Sequence, residues 1–160
     1  MGAEYRILPW YAHARALRDS AGGSHHRKQS QAGALLLHGE SILRTYRIAL
    51  GRNPVGRKTE QGDGKTPEGR YSIDRRNPQS SCHLSLHISY PNDSDRGQVR
   101  ERGVEPGGDV MIHGLRNGEG HIGRAHLETD WTQGCVAVTD DEMEEIWGLV
   151  EDGTPIEINP

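Results

Sequence analysis

Residues 51–74, GRNPVGRKTEQGDGKTPEGRYSID, set the tightest limit on how this chain can fold. Asn53-Pro54, Gly62, Gly64, Pro67 and Gly69 recur too often for a helix, and the same residues interrupt a ladder of strand hydrogen bonds. The stretch reads as one long loop, which excludes a helix or a central strand there. Loops of that length in a compact domain tend to be functional or disordered. Composition points the same way: Gly occurs 21 times, Phe never, and apolar residues make up 32 % of the 160. One loop-rich domain with a single core is expected, not a helical bundle.

Around that loop the pattern is mostly β. "ALLLHGESILRTYRIALG" is two β-rich runs joined at His38-Gly39-Glu40, a hairpin signal. In "HLSLHISY" the residues Leu84, Leu86 and Ile88 alternate with His83, Ser85, His87 and Ser89, giving one apolar and one polar face. "PNDSDRG" reads as a turn, followed by a short charged segment of helical character. "GGDVMIHG" reads as a buried strand ending at His113-Gly114, and "CVAV" as another after a second long loop. The clearest helix starts at Thr139, where Thr139 and Glu142 form a capping box with Asp140 and Asp141 in the first turn. Met143, Ile146, Trp147 and Val150 make its apolar stripe, Gly153 ends it, and "TPIEI" supplies a last strand. The predicted fold is mainly β with one amphipathic helix packed on a sheet.

The start of the chain has a short apolar run, Ile7 to Tyr11, then "DSAGGSHHRKQSQAG", whose composition reads as a solvated tail. Residues 1–32 are therefore expected to be a flexible segment and 33–160 the domain. The adjacent His25 and His26 supply neither the number nor the spacing of metal ligands. Met1 to Gln31 lacks the apolar core of a secretory signal. A net charge of −4 gives no footprint for nucleic acid, and no apolar run approaches the roughly 20 residues of a membrane span. The two cysteines, Cys82 and Cys135, make no disulfide framework, although one bridge between them is open and would silence both thiols.

Chemistry concentrates in "DWTQGCVAV", residues 130–138. Cys135 stands between a glycine turn and a strand, so its backbone is fixed while its side chain faces the loops. Gly134 permits close approach of a substrate backbone, and the amides of Gln133, Gly134 and Cys135 could converge on a developing oxyanion. A thiol needs a base beside it, and His113, at a strand end with room left by Gly114, is the best candidate. An ion pair between them would let the thiol react well below pH 8. The competing reading is a core thiol with a structural histidine. His87 is a candidate for lining a substrate cleft, His83 reads as exposed, and His121 and His126 as solvated loop residues. Asp130 and Arg124 could meet charged ends of a substrate, with surface charge as the default reading, Trp131 is either a platform or packing under the turn, and Cys82 is a bystander. His113, His121 and His126 could also be read as zinc ligands, without a recognised ligand spacing.

These motifs in their order resemble the catalytic domain of the L,D-transpeptidase (YkuD-type) family, over Gly33 to Ile158. The matching residues are His113-Gly114, Thr132-Gln133-Gly134-Cys135, the stretch Thr66-Pro67-Glu68-Gly69 with Tyr71, and the closing "GTPIEI". The resemblance implies a β-sandwich or barrel and a cysteine enzyme of bacterial peptidoglycan working through a thioester, in the cell envelope, with no cofactor and no metal. It implies Cys135 as nucleophile, His113 as base and acid, the Gly114 carbonyl as orienter of the imidazole, and the Gly134 and Cys135 amides as oxyanion donors. Substrate contacts fall to His87, Thr132, Trp131 and Arg124, and the substrate is a diaminopimelate-containing stem peptide. Gln133 stands where many members have His, and Ala137 where many have Arg or Asn. The "DWT-x-GC-x-AVT" variant is similar to a branch that includes an amidase releasing a lipoprotein from peptidoglycan. Transpeptidase, carboxypeptidase or amidase action, and a non-catalytic wall-binding module, are the readings this leaves.

Overall fold

The computed structural model describes residues 5–11 and 32–160. Eight strands, β1 (Tyr5–Tyr11), β2 (Ala32–His38), β3 (Ser41–Arg47), β4 (Gly69–Asn77), β5 (Ser85–Ile88), β6 (Met111–His113), β7 (Val136–Ala137) and β8 (Pro155–Ile158), form one sheet. Their order is β3-β2-β1-β8-β4-β5-β6-β7. The sheet curls on itself: just after β3, Ala49 bridges Ala137 of β7 and Gly51 bridges Thr132. The two ends of the strand order thus meet, and the expected mainly β architecture with few helices is what forms.

Two expectations fail, and both failures have physical reasons. Gly69–Asn77, read as loop, is a long central strand between β8 and β5. Only Tyr71 and Ile73 turn inward there while Arg70 and Asp74 face out, so the period-2 signal is two residues deep. Pairing of Tyr71 with Ile156 and of Ile73 with Ile88 supplies what local pattern lacks. The second is the flexible segment 1–32. Tyr5–Tyr11 is a strand, antiparallel to β2 and parallel to β8, Ala32 opens β2, and residues 1–4 and 12–31, His25 and His26 included, lie outside the described residues.

The hairpin falls as expected, β2 turning into β3 through Gly39 at φ 60°. "PNDSDRG" is not a turn but the start of helix α1 (Asp93–Arg102): Asn92 caps it and Asp95 completes a capping box. Asn, Asp and Ser favour turns and caps for the same reason, a short side chain that reaches nearby backbone amides. Helix α2 (Asp140–Leu149) carries the predicted Thr139–Glu142 box, and Met143, Ile146 and Val150 are buried. They enter the main core with Leu36, Ile73, Leu86, Ile88, Ile112, Val136 and Ile156. Each such aliphatic side chain contributes about 1.5–3 kcal/mol by leaving water.

A second, smaller cluster positions the site. Ile112 and Val136 point into the main core, so the alternation of side chains turns His113 and Ala137 to the other face. There Ala137 packs with Ala49, Leu127 and part of Trp131, beneath a 3₁₀ segment, Gly120–Glu128, that breaks at Gly123. Among the described residues no helix is long and apolar enough to cross a membrane.

Candidate active site

Strands β6 and β7 run parallel, with Ile112 beside Val136 and His113 beside Ala137. Continuing that register by one residue sets Cys135 beside Met111, on the face that His113 shares. The imidazole and the thiol therefore sit on neighbouring strands, outside the main core. His113 is buried, and its Nδ1 lies 2.6 Å from the carbonyl oxygen of Gly114. A carbonyl only accepts, so Nδ1 carries the proton and Nε2 presents its lone pair. Burial depresses the pKa of this imidazole below the ordinary value, opposed by the Gly114 bond and helped by Arg116. That direction favours the neutral imidazole at pH 7.

The thiol of Cys135 is shifted the other way. Burial raises its pKa, Cys82 and Asp109 add to the rise, and the Met111 amide and Lys58 oppose it. Its Sγ–H donates to the carbonyl of Asp109 at 3.5 Å. Both shifts favour a neutral thiol beside a neutral imidazole over the ion pair considered from the sequence. Both cysteines are free thiols in this structure.

The turn before Cys135 is tied at Asp130, Thr132 and Gly134. Asp130 accepts the Leu50 amide at 2.8 Å, where a surface charge was expected. The backbone of Thr132 exchanges bonds with Leu50 and Arg52. Thr132 Oγ1 accepts from the Gly134 amide at 3.1 Å and donates to the Cys135 carbonyl at 2.8 Å. This overturns two expectations: Thr132 is spent on building the turn rather than on substrate, and the Gly134 N–H is already committed. Gly134 itself has φ 135°, and a Cβ there would lie 2.6 Å from the Lys65 carbonyl, so only glycine fits. Gly114 is constrained by space alone: a Cβ would sit 2.6 Å from Asp140 Oδ1, which accepts the Leu115 amide.

A cleft of about 310 Å³ opens over the sulfur, between Lys58, Gln61, Gly107–Val110 and the exposed Gln133. Its far wall is the Gly/Pro-rich loop, held by a buried ion pair. Lys58 Nζ meets Asp63 Oδ1 at 2.9 Å, and Asp63 also accepts the amides of Thr59, Glu60 and Lys65. Burial alone would raise the Asp63 pKa, but these donors hold it at about 2. A loop of charged and small residues gave no sign of this knot, because its partners are fixed by the loop's path.

The remaining candidates separate. His87 does not line the cleft: it bonds Asp74 and reaches the cleft only through Asp109, 3.9 Å away. Arg124 is exposed and pairs with Glu142 at 3.5 Å, beside the start of α2 rather than the thiol. His83 is half-buried and bonds Glu144 at 2.9 Å. His121 is exposed as expected, with Nδ1 3.2 Å from the Gly118 carbonyl. His126 is not solvated but 7 % exposed, and it accepts the Trp131 indole N–H at 3.2 Å. Trp131 in turn packs edge-on against His113, with ring centroids 5.9 Å apart. His113, His121 and His126 face three different partners, and among the described residues no group of His, Cys, Asp and Glu converges as a metal site.

With this geometry in view, the model of the L,D-transpeptidase (YkuD) catalytic domain matches residues 27–158. The chain belongs to the L,D-transpeptidase catalytic-domain family. YafK of Escherichia coli (strain K12), whose name assigns it to the L,D-transpeptidases, is 32 % identical over 112 residues, covering 68 % of this chain. The chain spans 37 % of the length of that relative. In fold the domain is similar to the helical cell shape determining protein Pgp2 of Campylobacter jejuni (TM-score 0.62, 21 % identity, 98 % of this chain and 48 % of that one). It is similar also to an L,D-transpeptidase of Mycobacterium smegmatis (TM-score 0.57, 12 % identity, 99 % of this chain and 60 % of that one).

Within this L,D-transpeptidase domain the two departures from the common motif occupy different settings. Gln133 is exposed on the rim of the cleft. Ala137 is fully buried, between His113 on β6 and the Ala49 bridge, where a long polar side chain has no room.

Proposed function

We propose that this domain is a cysteine acyltransferase or hydrolase acting on peptidoglycan stem peptides in the cell envelope. The observation that carries the reading is the Gly114 carbonyl bond, which leaves His113 Nε2 unprotonated on the strand beside Cys135. Rotation about χ1 of Cys135 takes Sγ from Asp109 toward Nε2. His113 removes the thiol proton as sulfur attacks the carbonyl carbon of the diaminopimelate L-centre. The oxyanion then forms against the Cys135 and Gln133 amides, since that of Gly134 serves Thr132. Collapse breaks the C–N bond, His113 gives its proton to the leaving amine, and a thioester remains. An amine or water next attacks the thioester, yielding its proton to His113, and the thiol is restored. The transferred group ends on a second stem peptide in transpeptidation, or on water in carboxypeptidase or amidase action, including release of a wall-linked protein.

The test is mass spectrometry of the intact protein after incubation with a carbapenem, which offers a strained acyl group to a nucleophile. A covalent adduct on Cys135, lost in Cys135→Ala and strongly slowed in His113→Gln, is expected. Folded protein with a titratable thiol and no adduct would reject the catalytic reading in favour of a wall-binding module. Chromatography of treated muropeptides then separates new cross-links, shortened stems and released protein.

A further inference from the structure

We infer that His126 is a positioning residue for His113, acting through the indole of Trp131. The inference rests on the reading of His113 as the base. An indole N–H can only donate, so the 3.2 Å contact from Trp131 Nε1 requires a lone pair on His126 Nδ1. His126 is therefore neutral with its proton on Nε2, and that Nε2 is buried without a hydrogen-bond partner. Burying an unpaired donor is unfavourable, so this side chain lowers stability relative to an apolar one of similar size. A residue chosen for packing would not leave a donor stranded; one chosen to hold the indole would.

The indole is where that hold has an effect. Trp131 meets His126 edge to face at 6.2 Å and 81°, and meets His113 at 5.9 Å and 68°. Its floor is Ala49, Leu127 and Ala137, and the Arg116 guanidinium lies over its face 5.7 Å from the centroid, so the Nδ1 bond is the directional contact that fixes the ring's rotation in its plane. His113 is tethered at one atom, Nδ1, by Gly114. One tether leaves the ring free to swing about the bond, and the wall of Trp131 supplies the second constraint that aims Nε2. The order of dependence runs from His126 to Trp131 to His113.

The experiment compares His126→Leu with His126→Gln, whose amide oxygen keeps an acceptor. Two readouts are followed: the rate of carbapenem acylation, and the ring nitrogen NMR resonances of His113 with its titration curve. His126→Leu is expected to fold with at least wild-type stability, acylate about tenfold or more slowly, and show shifted His113 resonances. His126→Gln is expected to recover most of both. Equal rates in the wild type and His126→Leu, or equal losses in the two variants, would overturn the inference. Absence of acylation in the wild type would defeat the proposed chemistry instead; the His113 resonances then decide, and their being unchanged in His126→Leu overturns the positioning role.

Discussion

Two opposed pKa shifts define the chemistry at Cys135 and His113. The thiol is raised and the imidazole lowered, in both cases mainly by burial, which penalises whichever form carries charge. An enzyme using a preformed thiolate would show the reverse. In the proposed mechanism the sulfur is deprotonated as it attacks, so the lone pair on Nε2 matters more than any standing charge. Labelling by iodoacetamide should therefore be slow at pH 7 and climb with a midpoint above the roughly 8.5 of a free thiol. His113→Ala should leave that midpoint nearly unchanged, because the imidazole is uncharged where the thiol titrates. A midpoint well below pH 8 in the wild type would show an ion pair instead.

At the level of elements, the loop before β4 behaves as a rigid wall, despite its composition. The Lys58–Asp63 pair has side chains only 4 % and 9 % exposed, and Asp63 gathers the amides of Thr59, Glu60 and Lys65 around one carboxylate. Lys65 then presses its carbonyl against Gly134, next to Cys135. Removing one partner strands a buried charge, so Lys58→Met should cost about 3 kcal/mol of unfolding free energy in urea titrations. Asp63→Leu added to it should not restore stability, because the backbone amides lose their acceptor. A loss below about 1 kcal/mol for Lys58→Met would mean that water reaches the pair. The Asp63 pKa of about 2 against an ordinary 3.8 means that its contribution is present above pH 3.8 and is lost as pH falls through 2.

For the molecule as a whole, two buried neutral histidines impose a pH dependence on folding. His113 and His126 both titrate below their ordinary 6.5 in the folded chain. As pH falls through 6.5 the unfolded chain takes up protons first, so stability is complete above that value and declines as pH falls through the folded-state pKa values. Urea midpoints should drop between pH 7.5 and pH 5.5, and His126→Leu should flatten the decline. A midpoint that is equal or higher at pH 5.5 would contradict the buried neutral state of these rings.

What the sequence determined by itself was whatever is written in neighbouring residues. The capping box at Thr139, the stripe Met143-Ile146-Val150, the turn at Gly39 and the His113 and Cys135 motifs all depend on contacts a few residues apart, or on patterns short enough to read directly. The tertiary structure decided the rest, because it depends on partners far along the chain. β4 is a strand because Ile156 and Ile88 flank it, not because of its own alternation. Thr132 and Asp130 are structural because Leu50 and Arg52 happen to pass beside them. His126 is buried because a 3₁₀ segment folds over Trp131, and a histidine in a polar loop carries no local mark of which atoms will close above it.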